Sequence, residues 1–179
     1  MSSLDKLEFV KPADIEARSF QMISDELAQA GIALDPENEL VVKRVIHTSA
    51  DFDYANNLVF SKGATAIGVD ALRGGCSVVT DTKMAAAGVN KRVLGKFGGT
   101  VYNFIADADV AAEAKQRGLT RSAVSMERAA ALGQPLVYAI GNAPTALVRL
   151  YEMLQAGEME CPPALIIGVP VGFVNVVEL

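Results

Sequence analysis

Four short apolar runs, rich in β-branched side chains and bounded by Gly, Pro or Asp, punctuate the chain from its middle onward: residues 77–80, 100–105, 135–140 and 164–167. Runs of this length without polar alternation predict buried strands. Between and after them, residues 83–96, 107–117, 121–132 and 145–155 have helical composition. Upstream the pattern is helical throughout. Residues 14–30 place Ile15, Phe20, Ile23 and Leu27 near one face, between a start signal at Pro12 and a stop at Gly31. A second helix is predicted from Pro36-Glu37 through Ile46, and a third over residues 62–73, ended by Gly74-Gly75. Strands alternate with helices and no polar linker is long enough to divide the chain. The pattern therefore predicts one α/β domain over residues 1–179: a three-layer α/β/α arrangement on a mainly parallel central sheet, with a helical N-terminal segment.

Composition supports a folded chain, since 51% of the 179 residues are hydrophobic and 21% charged. No apolar run reaches the roughly 18–20 residues of a membrane-spanning helix. The start, with Asp5 and Glu8 beside Lys6, lacks a signal-peptide layout. A cytoplasmic protein with no membrane partner is expected. The net charge of −5 argues against a broad nucleic-acid surface, which needs a surplus of Lys and Arg. That total is unevenly spread. Residues 1–39 carry nine acids and three bases, residues 43–149 thirteen bases and eight acids, and residues 150–179 four acids and no base. The middle is thus +5 and leaves room for an anionic ligand. Cys76 and Cys161 lie 85 positions apart with no CxxC spacing, so they are expected to be reduced thiols and no cysteine-histidine metal site is expected.

In open parallel sheets, ligands gather beyond the carboxyl ends of the strands, where helix N-termini present unpaired N–H groups. Three strand ends here carry unusual residues: Thr80-Asp81-Thr82, Gly141-Asn142-Ala143-Pro144-Thr145, and the run from Gly168 to Phe173. In the second, Asn142 reads as an N-cap and Pro144 suits the first helical turn. The segment is either a well-built strand-to-helix turn or a cradle for an anion or carboxamide. No glycine loop here matches GxGxxG or GxxxxGK[ST], which argues against a nucleotide site. Thr120-Arg121-Ser122 precedes a helix and sets a guanidinium beside two hydroxyls, a pairing suited to a carboxylate or to a simple helix cap. Arg18-Ser19 has the same composition.

The chain has one histidine, His47. On the second helix, Val41, Val42, Val45 and Ile46 form the apolar face, while Lys43, Arg44 and His47 lie three and four residues apart on another. A continued turn would add Asp51. Such a histidine is either an exposed residue near a helix C-terminus or a proton donor beside a carboxylate-binding pair. Positive neighbours disfavour a charged imidazole and a bound polyanion favours it. With no GxSxG elbow and a single histidine, no nucleophilic triad can be built. The pattern suits a reaction that needs one proton and good positioning.

Six stretches together resemble the precorrin-8X and cobalt-precorrin-8 methylmutase family of cobalamin biosynthesis. They are residues 16–20 (Glu-Ala-Arg-Ser-Phe), 45–53 (Val-Ile-His-Thr-Ser-Ala-Asp-Phe-Asp), 79–84 (Val-Thr-Asp-Thr-Lys-Met), 120–123 (Thr-Arg-Ser-Ala), 139–147 (Ala-Ile-Gly-Asn-Ala-Pro-Thr-Ala-Leu) and 168–174 (Gly-Val-Pro-Val-Gly-Phe-Val). They run in order along most of the chain. The resemblance implies an isomerase that moves a methyl group from C-11 to C-12 of a corrinoid ring in a [1,5]-sigmatropic shift, giving hydrogenobyrinate or, with cobalt in place, cobyrinate. It places the catalytic histidine at His47, protonating a ring nitrogen, and substrate contacts at Ser19 and Arg44. The site is extended to Arg121, Ser122, Asn142 and Thr145. The resemblance further implies a homodimer with no resident cofactor, any cobalt arriving inside the substrate. Lys43 is a further candidate for holding the ring's carboxylates. Family members usually continue past the Val-Gly-Phe-Val run into a tail containing Glu-Ser-Lys, which a chain ending at Glu178-Leu179 is expected to lack.

A non-catalytic corrinoid carrier would use the same anion-binding residues. Single-turnover conversion separates it from the isomerase.

Overall fold

The computed structural model describes residues 11–172. The charged N-terminal residues Asp5, Lys6 and Glu8, and the residues from Phe173 to Leu179, lie outside the described residues. The chain divides into two compact units, Met1–Thr65 and Ala66–Leu179, each described by itself.

In the first unit a 3₁₀ turn at Pro12–Asp14 leads into α1 (Ile15–Gln29), followed by α2 (Glu39–Ser49) and α3 (Tyr54–Asn57). The apolar stripes of α1 and α2 meet through Ile23, Leu27, Val42 and Ile46, with Phe52, Tyr54, Leu58 and Phe60 packed around them. Each pair is four residues apart, the spacing that stacks side chains on one helix face. Val41, expected on that face, is exposed instead. The second helix starts at Glu39 rather than at Pro36-Glu37, because the Asp35 carboxylate accepts the Glu37 N–H and the Asn38 side-chain amide and so holds a turn there. It runs past Ile46 to Ser49 and stops at Ala50, whose φ of 55° is left-handed. Asp51 therefore does not extend the polar face of α2; its carboxylate accepts the Asp53 N–H at the entry to α3.

The second unit holds most of α4 (Ala64–Arg73), then β1 (Ser77–Thr80), α5 (Lys83–Gly88), α6 (Lys91–Lys96), β2 (Val101–Tyr102), α7 (Ala108–Arg117), α8 (Arg121–Ala130), β3 (Leu136–Ile140), α9 (Pro144–Ala156) and β4 (Leu165–Gly168). The four strands form an all-parallel sheet in the order β2-β1-β3-β4. Side chains alternate across it. Val79, Leu136, Tyr138 and Ile140 pack with Met126 and Ala129 of α8 and Ala146, Leu150 and Met153 of α9. Val78 and Val137 face the other way, onto Leu94 of α6 and Ala71 and Leu72 of α4. Helices thus cover both faces, as the three-layer α/β/α expectation requires.

Three features of this unit differ from the sequence reading. The run at 83–96 is two helices, since Asn90 accepts the Val93 N–H and caps a new one. Only Val101 and Tyr102 of the run 100–105 are strand, because the Asn103 side-chain amide, rather than further backbone, donates to the Thr80 carbonyl. The last strand is half-exposed rather than buried, with Ile166 at 37% and Ile167 at 45%, as an edge strand paired only to β3 allows. Among the described residues, no helix is long and apolar enough to cross a membrane.

Candidate functional site

In the first unit, the candidate residues gather around one aromatic ring. Phe20 of α1 lies under the Arg44 guanidinium, whose central carbon is 4.7 Å from the ring centroid. The His47 imidazole sits 5.6 Å from the same ring, tilted by 32°. Arg44 and His47 are three residues apart on α2, so one turn of helix delivers both to Phe20. The fork of Arg44 is already engaged: Nη1 and Nη2 donate to the two Glu16 carboxylate oxygens at 3.0 and 2.8 Å. That guanidinium, by hydrogen bond and then by charge, holds the Glu16 carboxyl below its ordinary value. Glu16 thus stands where an incoming carboxylate would pair. Ser19 precedes Phe20 and turns its hydroxyl back to donate to the Ile15 carbonyl at 2.9 Å.

Lys43 does not join this group. It pairs with Glu39 along its own helix and lines a depression of about 180 Å³ that includes Ser24, Leu27 and Leu34 but neither Arg44 nor His47. The expected run of Lys43, Arg44 and His47 on one polar face is therefore split: Arg44 and His47, three residues apart, meet at Phe20, and Lys43 turns aside.

In the second unit the other candidates line the carboxyl end of the sheet. Because β1 is flanked by β2 on one side and β3 on the other, the strand order reverses between β1 and β3, where such sheets open a crevice. Gly141, Asn142 and Ala143 leave β3 at that point and enter α9. Thr145, in the first turn of α9, shares a hydrogen bond of 2.9 Å with Thr120. Thr120 caps α8 by accepting the Ala123 N–H at 3.1 Å. The hydroxyl pair ties the starts of α8 and α9 together and sets Arg121, Ser122 and Thr145 on one rim. Arg121 is exposed, and its guanidinium has no ion pair among the described residues. Asn142 and Thr145 are exposed as well, and Ser122 is half-buried.

Asn142 differs from its expected role as an N-cap. Ala143 occupies the cap position and makes no side-chain bond. The three N–H groups of the expected anion cradle are also taken. Asp81, at the end of β1, accepts the Gly141 N–H at 3.0 Å through Oδ1 and those of Asn142 and Ala143 at 2.8 Å each through Oδ2. An internal carboxylate fills the place where a nucleotide phosphate would sit, which agrees with the missing glycine fingerprints.

Sequence reasoning assigned no site role to Glu16, Phe20 or Asp81. Glu16 and Phe20 lie inside a stretch that carries the family resemblance, and Asp81 inside a strand end marked as unusual, so position signalled them where residue type did not.

Comparison with known proteins joins these observations. The family model described as precorrin-8X methylmutase matches residues 14–179. The cobalt-precorrin-8 methylmutase of Priestia megaterium is 41% identical over 169 residues, covering 94% of this chain and 73% of that protein. The precorrin-8X methylmutase of Pseudomonas aeruginosa is 43% identical over 164 residues, covering 92% and 76%. A crystal structure of a precorrin-8X methylmutase from Thermus thermophilus superposes with a TM-score of 0.82 at 36% identity, covering 93% of this chain and 78% of that one. With the family model spanning nearly the whole chain and the same α/β fold in a solved member, this chain belongs to the precorrin-8X methylmutase family.

Proposed function

We propose that the chain is an isomerase of cobalamin biosynthesis that moves a methyl group from C-11 to C-12 of a precorrin-8 corrinoid, with His47 as proton donor. The observation that carries the roles is the cluster on Phe20: one imidazole and one guanidinium held against the same ring. A concerted methyl shift needs no nucleophile. It needs the ring held in one orientation and a proton on a ring nitrogen to draw electron density as the methyl migrates. The imidazolium N–H of His47 supplies that proton. The methyl group leaves C-11 with its bonding pair and forms the new bond at C-12 while the conjugated double bonds shift. Isomerisation leaves composition unchanged, so the proton returns to His47 once the shift is complete.

Arg44 binds a carboxylate of the ring, exchanging its bidentate pair with Glu16 for one with the substrate. Ser19, beside Phe20, contacts the substrate by turning its hydroxyl away from the Ile15 carbonyl. In the second unit, taken by itself, Arg121, with a free fork among the described residues, is suited to pair with a corrinoid carboxylate, and Ser122, Asn142 and Thr145 to supply neutral donors and acceptors. No resident cofactor enters this scheme, and cobalt, where present, is part of the substrate. The working form is a cytoplasmic homodimer, which light scattering would register as about twice 18.9 kDa.

The purified protein mixed with precorrin-8 should give a corrin spectrum with the methyl carbon at C-12 by NMR. Binding without conversion would establish a carrier in its place. Parallel runs with cobalt-containing and metal-free substrate would show which form is turned over faster.

A further inference from the structure

Asp81 belongs to no ion pair among the described residues, yet it is 1% exposed. Burying a carboxylate without a cation is costly unless hydrogen bonds replace its water. Here three consecutive backbone N–H groups do so, a nest closed around an internal anion. An apolar side chain here would leave three backbone N–H groups without acceptors, so the carboxylate is what holds the geometry of this loop. Its own seat is fixed: the neighbouring Thr80 is 1% exposed, donates through Oγ1 to the Thr82 carbonyl and accepts from Asn103. The far side of the loop is held too, because the Val171 N–H donates to the Asn142 carbonyl at 3.2 Å. The backbone from Gly141 to Ala143 is thereby pinned on both edges, while the side chains of Asn142 and Thr145 remain exposed.

We infer that Asp81 is a positioning residue for the methyl shift: through its three N–H bonds it fixes the loop that presents Asn142 and Thr145 to the corrinoid, without touching the corrinoid itself. This rests on the reading that Asn142 and Thr145 are substrate contacts. An amide at position 81 would point its own N–H groups at backbone N–H groups and release the loop.

The test is a double-mutant cycle read by titration with hydrogenobyrinate, followed by its visible absorbance. Asp81→Asn should weaken Kd about tenfold or more in the otherwise native chain, and by less than about threefold in an Asn142→Ala/Thr145→Ala background, because the contacts it positions are already gone. In steady state the loss should fall on KM, with kcat within about threefold of native. Met153→Ala, a truncation of a 2% exposed core residue on α9, controls for stability: it should lower Tm and leave Kd unchanged. If Asp81→Asn does not fold, Asp81→Glu, which keeps the charge and moves the carboxylate by one methylene, carries the same cycle. Equal losses in both backgrounds, or no loss in either, would overturn the inference while leaving the contacts standing. An unchanged Kd in the Asn142→Ala/Thr145→Ala variant would overturn the contact reading and the inference with it.

Discussion

Replacing Phe20 by Leu separates the aromatic platform from its bulk. The substitution keeps an apolar side chain between α1 and α2 but removes the ring face that Arg44 covers at 4.7 Å and that His47 meets at 5.6 Å. A cation over an aromatic face at an exposed position contributes about 0.5–1 kcal/mol. An aromatic pair at this separation and tilt adds about 0.5–1.5 kcal/mol beyond its buried area. If both interactions serve to aim the proton donor and the carboxylate clamp, kcat/KM should fall by roughly 5- to 70-fold, since about 1.4 kcal/mol is a factor of ten. The loss should divide, with KM rising through Arg44 and kcat falling through His47. Phe20→Tyr keeps the ring and should stay within about twofold of native. The assay is steady-state conversion of precorrin-8 with Tm measured alongside. A Phe20→Leu enzyme within about twofold of native, or equal losses in the Leu and Tyr variants, would refute the platform.

Arg44→Ala should weaken corrinoid binding about 10- to 100-fold by titration, and Arg44→Lys should recover only part of it, because an ammonium cannot reproduce the bidentate fork. Glu127 of α8 accepts from Arg117 at 2.5 Å and from Arg149 at 2.6 Å, and these partners, Arg117 first, hold its carboxyl below the ordinary 4.5. Its stabilisation should be fully present above that value and lost as pH falls through the lower folded value. Glu127→Gln should therefore lower Tm at pH 7 by several degrees and make the acid side of the Tm profile shallower; an unchanged profile would count against the network. Neither ATP nor NAD should give a binding isotherm at millimolar concentration, since Asp81 fills the nest at the switch point; saturable heat would contradict that occupancy.

The central strands could be read from the chain almost residue for residue. Ser77–Thr80 and Leu136–Ile140 are buried on both faces, so their apolar runs coincide with the strands, the second strand starting one residue after its run. At the edges the signal weakened: the run at 100–105 kept two strand residues, and the one at 164–167 was exposed where burial was expected. α3 has four residues, too few for a period to show. The site divides in the same way. Arg44 and His47 share one helix and three-residue spacing, which any sequence displays. Phe20 and Glu16 act across to the second helix, with Glu16 and Arg44 28 residues apart, and Asp81 reaches 60–62 residues along the chain. The anion cradle at Gly141–Ala143 was visible as a supply of N–H groups. Its occupant comes from another strand, and local spacing carries no information about that.

The most direct test of the proton-donor role is a single-turnover reaction of His47→Ala with precorrin-8, followed by its visible spectrum, with Kd for the corrinoid measured on the same preparation. Loss of a positioned acid should slow the methyl shift by about 100- to 10,000-fold while Kd stays within about threefold. A native rate in the variant would contradict His47 as the source of the proton, and a slow rate explained wholly by lost binding would assign it to substrate contact alone.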